Sequence, residues 1–219
     1  MPLDLHDDIQ RAPVVLAYGA EASMLDHLAA GQSARAREAV LREIAIAGVV
    51  AHDVVVGSRS LVVTHQANDG EKVRAILRDV SLHTTPESSP GTQHFVEIAV
   101  RYNGDDLDSV AQQCGITTRE VISLHTDADF VVEFCGFAPG FAYLTGLPLT
   151  LVLPRRTTPR PRVAAGSVAI AAHYSAVYPR ESPGGWHLLG NTTHEMWNIN
   201  RHPPAFLQPG THVRFVELA

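Results

Sequence analysis

The sequence predicts an α+β protein in which a small mixed domain precedes a second domain built mainly of short strands. The first 85 residues combine β-branched runs with segments of helical periodicity. The residues after 93 contain many short apolar runs separated by Gly/Pro turns. Between them, Thr84 to Gln93 is polar and broken by proline, a composition typical of a linker. We therefore predict domains at 1–85 and 94–219, joined by a linker at 86–93.

Composition limits the classes of protein to consider. The chain has 219 residues, of which 45% are hydrophobic and 18% charged, which is ordinary for a globular protein. Its net charge of −6 argues against general nucleic-acid binding. No apolar run approaches the ~20 residues that span a bilayer, and the acidic N-terminus lacks the features of a secretory signal. We expect a cytoplasmic protein that binds neither nucleic acid nor membranes.

Local signals predict each element of the first domain. Residues 13–18 form an apolar run that predicts a strand, and the segment from Glu21 to Ala30 predicts a short helix. Ser33 is a candidate N-cap for a second helix that runs to about Ala47. The remaining predicted elements are a hairpin of residues 49–56 and 61–64 and a helix capped by Asp69.

The second domain begins with a strand and two helices that carry clear end signals. Asp105 or Asp106 is predicted to cap a helix over Leu107 to Cys114, which Gly115 ends. Thr117 and Glu120 have the spacing of a capping box for a helix that reaches about His125. The predicted strands are His94 to Tyr102, Phe130 to Phe134, and short runs at 167–171, 186–189, 195–199 and 212–217. Many short strands with regular turns indicate a closed barrel or a sandwich.

The stretch from Cys135 to Asn191 is the candidate functional region. Its turns are Pro139-Gly140, Gly166-Ser167 and Pro183-Gly184-Gly185, and long ordered loops often carry function. The aromatic residues at these turns are Phe137, Phe141, Tyr143, Tyr178 and Trp186. They are predicted to line a pocket in which Arg155 and Arg160 reach an anion. Equally, these could be barrel corners whose aromatic rings fill the core, and the sequence favours neither interpretation.

Arginine is the main basic residue of this region. Four arginines lie in a proline-rich loop, and a guanidinium group suits carboxylate or phosphate; they are Arg155, Arg156, Arg160 and Arg162. The alternative is a solvated loop whose arginines pair with surface acids. Gly184 and Gly185 indicate either an anion-binding nest or a hairpin that needs positive φ. Lys72 is the only lysine, so a phosphate-binding GxxxxGK[ST] loop is absent, and no histidine shows metal-ligand spacing.

Several motifs of the second half occur together in one known family. They are Tyr102-Asn103-Gly104-Asp105-Asp106-Leu107, residues 136–144 (GFAPGFAYL), Pro154-Arg155-Arg156, Pro159-Arg160, residues 165–168 (AGSV), Val177-Tyr178-Pro179, residues 182–186 (SPGGW) and Leu189-Gly190. From about residue 94 onward the chain resembles subunit 1 of allophanate hydrolase. That family also contains the B subunit of bacterial 5-oxoprolinase, a sporulation-kinase inhibitor and the matching part of the urea carboxylase carboxyltransferase domain. The first 85 residues match only in the order of their elements.

The resemblance implies a cyclophilin-like β-barrel for the second domain and an enzyme made of several chains. The partner implied is a second cyclophilin-like subunit that completes a shared site, and 5-oxoprolinase also uses a lactam-utilisation subunit. The implied reaction is ATP-coupled opening of a small amide, either 5-oxoproline or allophanate, with ATP bound at or beyond the subunit interface. A different function implied by the same family is inhibition of a histidine kinase.

Matching these motifs to the turns gives the candidate substrate-binding residues. They are Arg155, Arg160, Phe137, Pro139, Gly140, Phe141, Tyr143, Gly166, Ser167, Tyr178, Gly184, Gly185 and Trp186. No GxSxG elbow surrounds Ser167 or Ser182, so the sequence nominates no nucleophile. We therefore expect the chain alone to be inactive, because it lacks a complete set of acid, base and nucleophile.

Overall fold

The computed structural model describes residues 12–29, 32–83 and 95–218, apart from the side chains of Ala34 and His83. The chain divides into two units, Met1–Ser89 and Pro90–Ala219. The predicted linker at 86–93 lies outside the described residues. Both units combine helices with strands, so the predicted α+β class is confirmed. Among the helices that the structure describes, none has the length and apolar character needed to cross a bilayer.

The first unit is an antiparallel four-stranded sheet with two helices packed against it. Its elements are β1 (Val14–Ala17), β2 (Ala22–Asp26), α1 (Ser33–Ile46), β3 (Ala51–Val56), β4 (Leu61–His65) and α2 (Gly70–His83). The strand order is β1-β2-β4-β3. Leu25, Leu61 and Val63 of the sheet are fully buried, as are Val40 and Leu77 of the helices. The core of this unit therefore lies between the helices and one face of the sheet.

The helix predicted from Glu21 to Ala30 is wrong, because Ala22–Asp26 form the strand β2. The burial of β2 alternates, with Ser23 and Leu25 buried and their neighbours half-buried, which is the period of a strand. Pairing with both β1 and β4 stabilises it against the high helix propensity of its Ala, Met and Leu residues. The predicted N-cap role of Ser33 is also wrong, since its Oγ donates to the Ser58 carbonyl at 3.0 Å.

The second unit contains a seven-stranded sheet, a two-stranded sheet and two helices. Its elements are β5 (Phe95–Val100), α3 (Leu107–Cys114), α4 (Thr118–Thr126), β6 (Phe130–Cys135), β7 (Ala142–Thr145), β8 (Arg160–Val163), β9 (Ser167–Ala171), β10 (Tyr174–Val177), β11 (Ser182–Gly184), β12 (His187–Asn191) and β13 (His212–Glu217). The large sheet runs β12-β9-β10-β7-β6-β13-β5, and β8 pairs with β11. Residues 195–199, predicted as a strand, form only an isolated bridge at Trp197.

The seven-stranded sheet is bridged between its two end strands. Arg101, directly after β5, exchanges two backbone hydrogen bonds with Asn191 of β12, at 2.8 and 2.9 Å. The Asn191 side chain also donates to Asn103 Oδ1 at 2.6 Å. The chain then crosses β12 closely, because Gly104 N–H donates to the Leu189 carbonyl at 3.0 Å. This bridge gives the second unit the barrel-like sheet that the resemblance implies.

A buried histidine connects α4 to the inside of this barrel. His125 is fully buried, and burial lowers its pKa to about 3, so the imidazole is neutral. Its Nδ1 lies 2.7 Å from Tyr102 Oη and its Nε2 lies 2.9 Å from Ser175 Oγ. With Tyr102 donating to Nδ1, Nε2–H donates to Ser175, whose hydroxyl lies 3.4 Å from the Ala169 carbonyl. Both ring nitrogens are therefore satisfied inside the core.

Replacing Tyr102 with phenylalanine is expected to destabilise the second unit by about 1–3 kcal/mol. The substitution leaves the buried Nδ1 of His125 without its donor, and an unsatisfied buried polar group costs about this much. Urea unfolding followed by tryptophan fluorescence measures the change, and Ser123→Ala, which removes an exposed hydroxyl from α4 of the same unit, is the control. Equal midpoints for Tyr102→Phe and Ser123→Ala would contradict the assignment of the Tyr102–His125 bond.

Candidate functional site

The centre of the candidate region is a buried carboxylate, Asp106, which is 2% exposed. Arg160 binds it through two hydrogen bonds of 2.8 Å, Nη1 to Oδ2 and Nη2 to Oδ1. Arg156 Nη1 also donates to Oδ1. The backbone N–H of Leu188 donates to Oδ2 at 2.8 Å. We call these four residues the Asp106 cluster, which ties the start of α3 to β12, to β8 and to the segment before β8, residues 154–159, which we call the arginine loop. Of the four arginines predicted to lie in a loop, Arg160 and Arg162 therefore belong to strand β8.

The electrostatics of the Asp106 cluster keep its carboxyl ionised. Burial alone would raise the pKa of Asp106, but the hydrogen bonds from Arg160 and the Leu188 N–H, with the charges of both arginines, lower it below its usual value. The side chain of Arg160 is 19% exposed and that of Arg156 is 32% exposed. Two guanidiniums therefore share one internal carboxylate, which leaves the cluster with a net positive charge.

Two predictions about these residues need correction. Arg160 was expected to reach an anion in a pocket, but its guanidinium is occupied by Asp106. Asp106 stands at the N-cap position of α3, yet its side chain makes no capping bond. Both corrections have one cause, since Asp106 and Arg160 are 54 residues apart in the chain and their pairing depends on the closed fold.

Three of the predicted pocket aromatics belong to the core. Phe141, Tyr178 and Trp186 are 2%, 1% and 5% exposed. Their rings meet edge to face, with centroids 5.4 Å apart for Phe141 and Tyr178 and 5.6 Å apart for Phe141 and Trp186. They pack on a face of β9 and β10 that carries small side chains, namely Ala169, Ala171 and Ala176. These three rings follow the barrel-corner alternative.

Two other predicted aromatics reach the surface beside this cluster. Phe137 is 62% exposed at a φ of 68°, and its ring packs edge to face on Phe141, with centroids 5.2 Å apart. Tyr143 is half-buried, and its ring stacks on Phe134 with centroids 4.2 Å apart. The aromatic side chains therefore form a continuous cluster of which only the edge is accessible.

In the first two Gly/Pro turns of the candidate region, the glycines allow other parts of the chain to pack closely against the backbone. Gly140, at a φ of 82°, lies against Met196 and Trp197, where a Cβ would come within 2.8 Å of the Trp197 side chain, while Pro139 is exposed. Gly166, at a φ of 81°, lies so close to the Thr192 carbonyl that any Cβ would overlap it. Ser167 beside it is 7% exposed. The backbone requirements of the fold therefore explain both glycines.

Neither predicted role of Gly184 and Gly185 is confirmed. The nest and the hairpin both need positive φ, and neither glycine has it. Gly184 is instead a site of close approach, because a Cβ there would overlap Tyr178 Oη. The Gly185 carbonyl accepts a hydrogen bond from the Arg156 backbone N–H at 2.8 Å. Gly184 therefore packs against Tyr178, and Gly185 is hydrogen-bonded to the backbone of Arg156.

Arg155 differs from the arginines that follow it. Its side chain is exposed, and among the described residues it has no hydrogen-bond or ion-pair partner. Arg162, by contrast, pairs with Glu181 through two hydrogen bonds of 3.0 Å. Burial raises the pKa values of Tyr143 and Tyr178, and the charge of Arg155 opposes this rise. Arg155 is therefore the guanidinium of this loop that can meet a ligand.

The described residues place serine hydroxyls beside histidines, but not where a substrate could use them. The two serine–histidine pairs that the structure shows, Ser23–His65 and Ser175–His125, are fully buried, so a substrate cannot reach either one. Three or more His, Cys, Asp or Glu side chains placed to hold a metal do not occur in the described part of the chain. The exposed groups of the candidate region that remain are Arg155, the edge of the aromatic cluster at Phe137 and the half-buried Tyr143.

The sequence placed Asp106 correctly at the start of α3 but gave no indication of its ion pairs with Arg156 and Arg160. No local signal marked this role, because Asp106 lies 50 and 54 residues before the two arginines that it binds. Helix capping was the simpler interpretation of the same residues. Of the predicted site residues, the structure brings six into contact with one another, namely Phe137, Phe141, Tyr143, Tyr178, Gly184 and Trp186.

Residues 10–207 match the family model described as carboxyltransferase domain, subdomain C and D. The B subunit of 5-oxoprolinase from Escherichia coli O157:H7 is 46% identical over 125 residues, which cover 56% of this chain and 57% of that protein. The corresponding 5-oxoprolinase protein of Bacillus subtilis is 39% identical over 150 residues, covering 66% of this chain and 62% of that protein. The matches thus span little more than half the length of these relatives.

A solved structure supports the fold independently. The Kluyveromyces lactis urea carboxylase aligns over 94% of this chain and 22% of its own, with a TM-score of 0.69 and 15% identity. At this identity the likeness concerns the fold alone.

Proposed function

Because the chain belongs to the carboxyltransferase-domain family of subdomains C and D, we propose that it is one subunit of a heteromeric, ATP-dependent amidohydrolase that opens 5-oxoproline. The observation that carries this proposal is the match to 5-oxoprolinase B subunits from several bacteria. The same match favours 5-oxoproline over allophanate, the other amide that the family resemblance suggests. In the reaction, water adds to the lactam carbonyl, the C–N bond breaks, and glutamate leaves with a new carboxylate and a free amine.

The site geometry fits a protein that holds substrate but needs a partner for chemistry. The exposed Arg155 is available to a small anion, whereas the serine–histidine pairs of the described residues are enclosed in the core. The partner that we propose is a second cyclophilin-like subunit, which would supply the missing acid, base or nucleophile. A lactam-utilisation subunit completes the proposed assembly.

Among the described residues, the arginine loop and the Gly184–Gly185 turn do not fit the triphosphate of ATP. A triphosphate needs several free cationic or N–H donors, but Arg156 and Arg160 are held by Asp106, and Gly184–Gly185 lacks the geometry of a nest. In this proposal ATP therefore binds to another subunit, and no step of the reaction depends on ATP contacts made here.

The test is to purify the chain with and without the two proposed partners and to measure glutamate formed from 5-oxoproline. The complete assembly is expected to form glutamate only when ATP is present, and omission of this chain is expected to abolish the activity. A complete assembly that forms no glutamate would reject the proposal. The alternative function, inhibition of a histidine kinase, stays a prediction that a kinase autophosphorylation assay with the purified chain tests.

A further inference from the structure

We infer that Phe137 is the central contact of this chain with the second cyclophilin-like subunit, and that it enters an apolar recess whose border carries carboxylates. The inference rests on the proposed function, which it deepens by placing that partner on one surface of the second unit. Phe137 lies in the turn between β6 and β7 and is 62% exposed, although its side chain is large and apolar.

The backbone of Phe137 adopts a conformation that phenylalanine rarely has. Its φ of 68° lies in the left-handed region, which glycine enters without steric cost and a bulky residue does not. Glycine occurs in the same turn, as Gly136 and Gly140, yet phenylalanine stands at 137. A strained residue of this kind persists where it serves a function, and an exposed ring contributes little to the core.

The ring of Phe137 rests on a rigid support. It packs edge to face on Phe141, with centroids 5.2 Å apart, and Phe141 is 2% exposed. The Phe141 ring in turn meets those of Tyr143 and Trp186, at 5.0 and 5.6 Å. Phe137 is therefore held in place before it binds, and an aromatic side chain that loses little freedom on binding is well suited to the centre of an interface.

A second loop beside this turn adds apolar surface. Gly140 lies against Trp197, which is 36% exposed, and Ile199 two residues further on is 74% exposed. Arg201 fixes this loop, since its Nη2 donates to the Pro204 carbonyl at 2.9 Å. Two ordered loops thus present apolar side chains to solvent next to each other.

The opposite side of the aromatic cluster carries positive charge. Trp186 is followed back along the chain by Gly185, where a Cβ would lie 3.8 Å from Pro159 of the arginine loop. The charged side chains of this loop, of β8 and of their partners are four arginines and two carboxylates, a net charge of +2: Arg155, Arg156, Arg160, Arg162, Asp106 and Glu181. Asp105, the neighbour of Asp106, lowers this only to +1. Because the whole chain has a net charge of −6, this basic surface on an acidic protein favours a partner that presents carboxylates.

This arrangement fits a protein partner better than a small ligand. Small ligands bind in concave sites, whereas an exposed ring in a turn is buried when it enters a recess of another protein. Aromatic residues at the centre and charged residues at the rim are the usual anatomy of such an interface.

The experiment measures association of the two purified subunits without ATP or substrate. Calorimetric titration is expected to show that Phe137→Gly weakens association at least about 30-fold, the usual loss for an aromatic residue at the centre of an interface. Phe137→Asn, whose side chain the left-handed region accepts, is expected to show the same loss. Higher ionic strength is expected to weaken association of the wild type more than that of Arg155→Gln.

Phe95→Ser is the matched control, because Phe95 is another exposed ring of the second unit, at 50%. Phe95 and Val131 both pair with His212, so Phe95 lies level with the start of β6, about 20 Å along this strand from Phe137. The control is expected to associate as wild type does. Equal weakening by Phe95→Ser and Phe137→Gly would overturn the inference, as would wild-type association of Phe137→Gly. Wild-type urea midpoints for both Phe137 variants exclude a folding defect.

Kinetics separate this inference from the proposed function. When the second subunit is scarce, Phe137→Gly is expected to form less glutamate from 5-oxoproline, and an excess of that subunit is expected to restore the rate. A raised KM that persists in excess would place the ring at the substrate and overturn the inference while the function stands. If the subunits associate but form no glutamate, the function fails, and the loss of association in Phe137→Gly still supports the contact.

Two further outcomes also decide against the contact. A wild-type chain that does not bind the second subunit overturns the inference directly. Binding to anionic lipid vesicles that Phe137→Gly abolishes would assign the exposed ring and the basic surface to a membrane instead.

Discussion

Asp106→Asn is expected to lower the free energy of unfolding of the second unit by about 3–5 kcal/mol. The asparagine leaves Arg156 and Arg160 partly buried without a counter-charge, and removal of one partner of a buried ion pair has a cost of this size. Arg156, the more exposed of the two, can regain some hydration, so its share of the loss is the smaller one.

Tryptophan fluorescence measures this effect without interference from the first unit. The two tryptophans of the chain, Trp186 and Trp197, both lie in the second unit, so urea unfolding followed by their emission reports that unit alone. Asp108→Asn is the matched control, because it removes an exposed carboxylate from the first turn of the same helix. A change of less than about 1 kcal/mol is expected for the control. If both variants unfold at the same urea concentration, the Asp106 cluster does not stabilise the unit.

Asp106→Asn is also expected to change how the stability of the second unit depends on pH. The folded pKa of Asp106 is lowered, so its contribution is fully present above the unfolded value, about 3.9, and is lost as pH falls through the lower folded value. Asparagine does not titrate, and in Asp106→Asn this part of the acid sensitivity is expected to disappear. Unfolding curves recorded from pH 6 down to pH 3 test the point, and an unchanged slope against pH would contradict it.

Gly104→Ala is expected to destabilise the second unit by about 3 kcal/mol, the upper part of the range for overpacking. A Cβ at this position would overlap the backbone of β12, coming within 2.6 Å of the Gly190 nitrogen and 2.5 Å of the Leu189 carbonyl carbon. These atoms belong to the strand that bridges to Arg101, so they cannot move aside without opening the bridge.

Gly136→Ala is the matched control for this variant. The nearest atoms to a Cβ at Gly136 lie 4.0 Å away, which is ordinary contact, so the control is expected to unfold as wild type does. Tryptophan emission during urea unfolding again gives the measurement. Wild-type stability of Gly104→Ala would mean that the crossing of residues 101–106 over β12 is looser than the structure shows.

The sequence predicted those parts of the fold that depend on neighbouring residues. Helix α3 ends at Gly115, which adopts the left-handed conformation at a φ of 68°, and α4 begins with the predicted capping box of Thr117 and Glu120. The capping and turn signals behind these predictions act within a few residues. Strand β2 was missed because its identity depends on partners elsewhere in the chain rather than on its own propensity.

The candidate site was predictable only in part, for a related reason. From residue types alone, the sequence indicated which arginines and which aromatic residues to consider. It could not show that Asp106 lies opposite residues 50 and 54 positions away, nor that this pairing leaves Arg155 free. Only the closed barrel determines which guanidinium is available to a ligand.

The position of β13 determines when the barrel can form during synthesis. This strand lies between β5, to which it is parallel, and β6, to which it is antiparallel, so His212 pairs with both Phe95 and Val131. Until the residues near 217 have left the ribosome, β5 and β6 have no strand between them, and their apolar inner faces stay exposed to other nascent chains. Pairing across so long a stretch is intrinsically slow. We therefore expect the second unit to complete its fold only after β13 has left the ribosome.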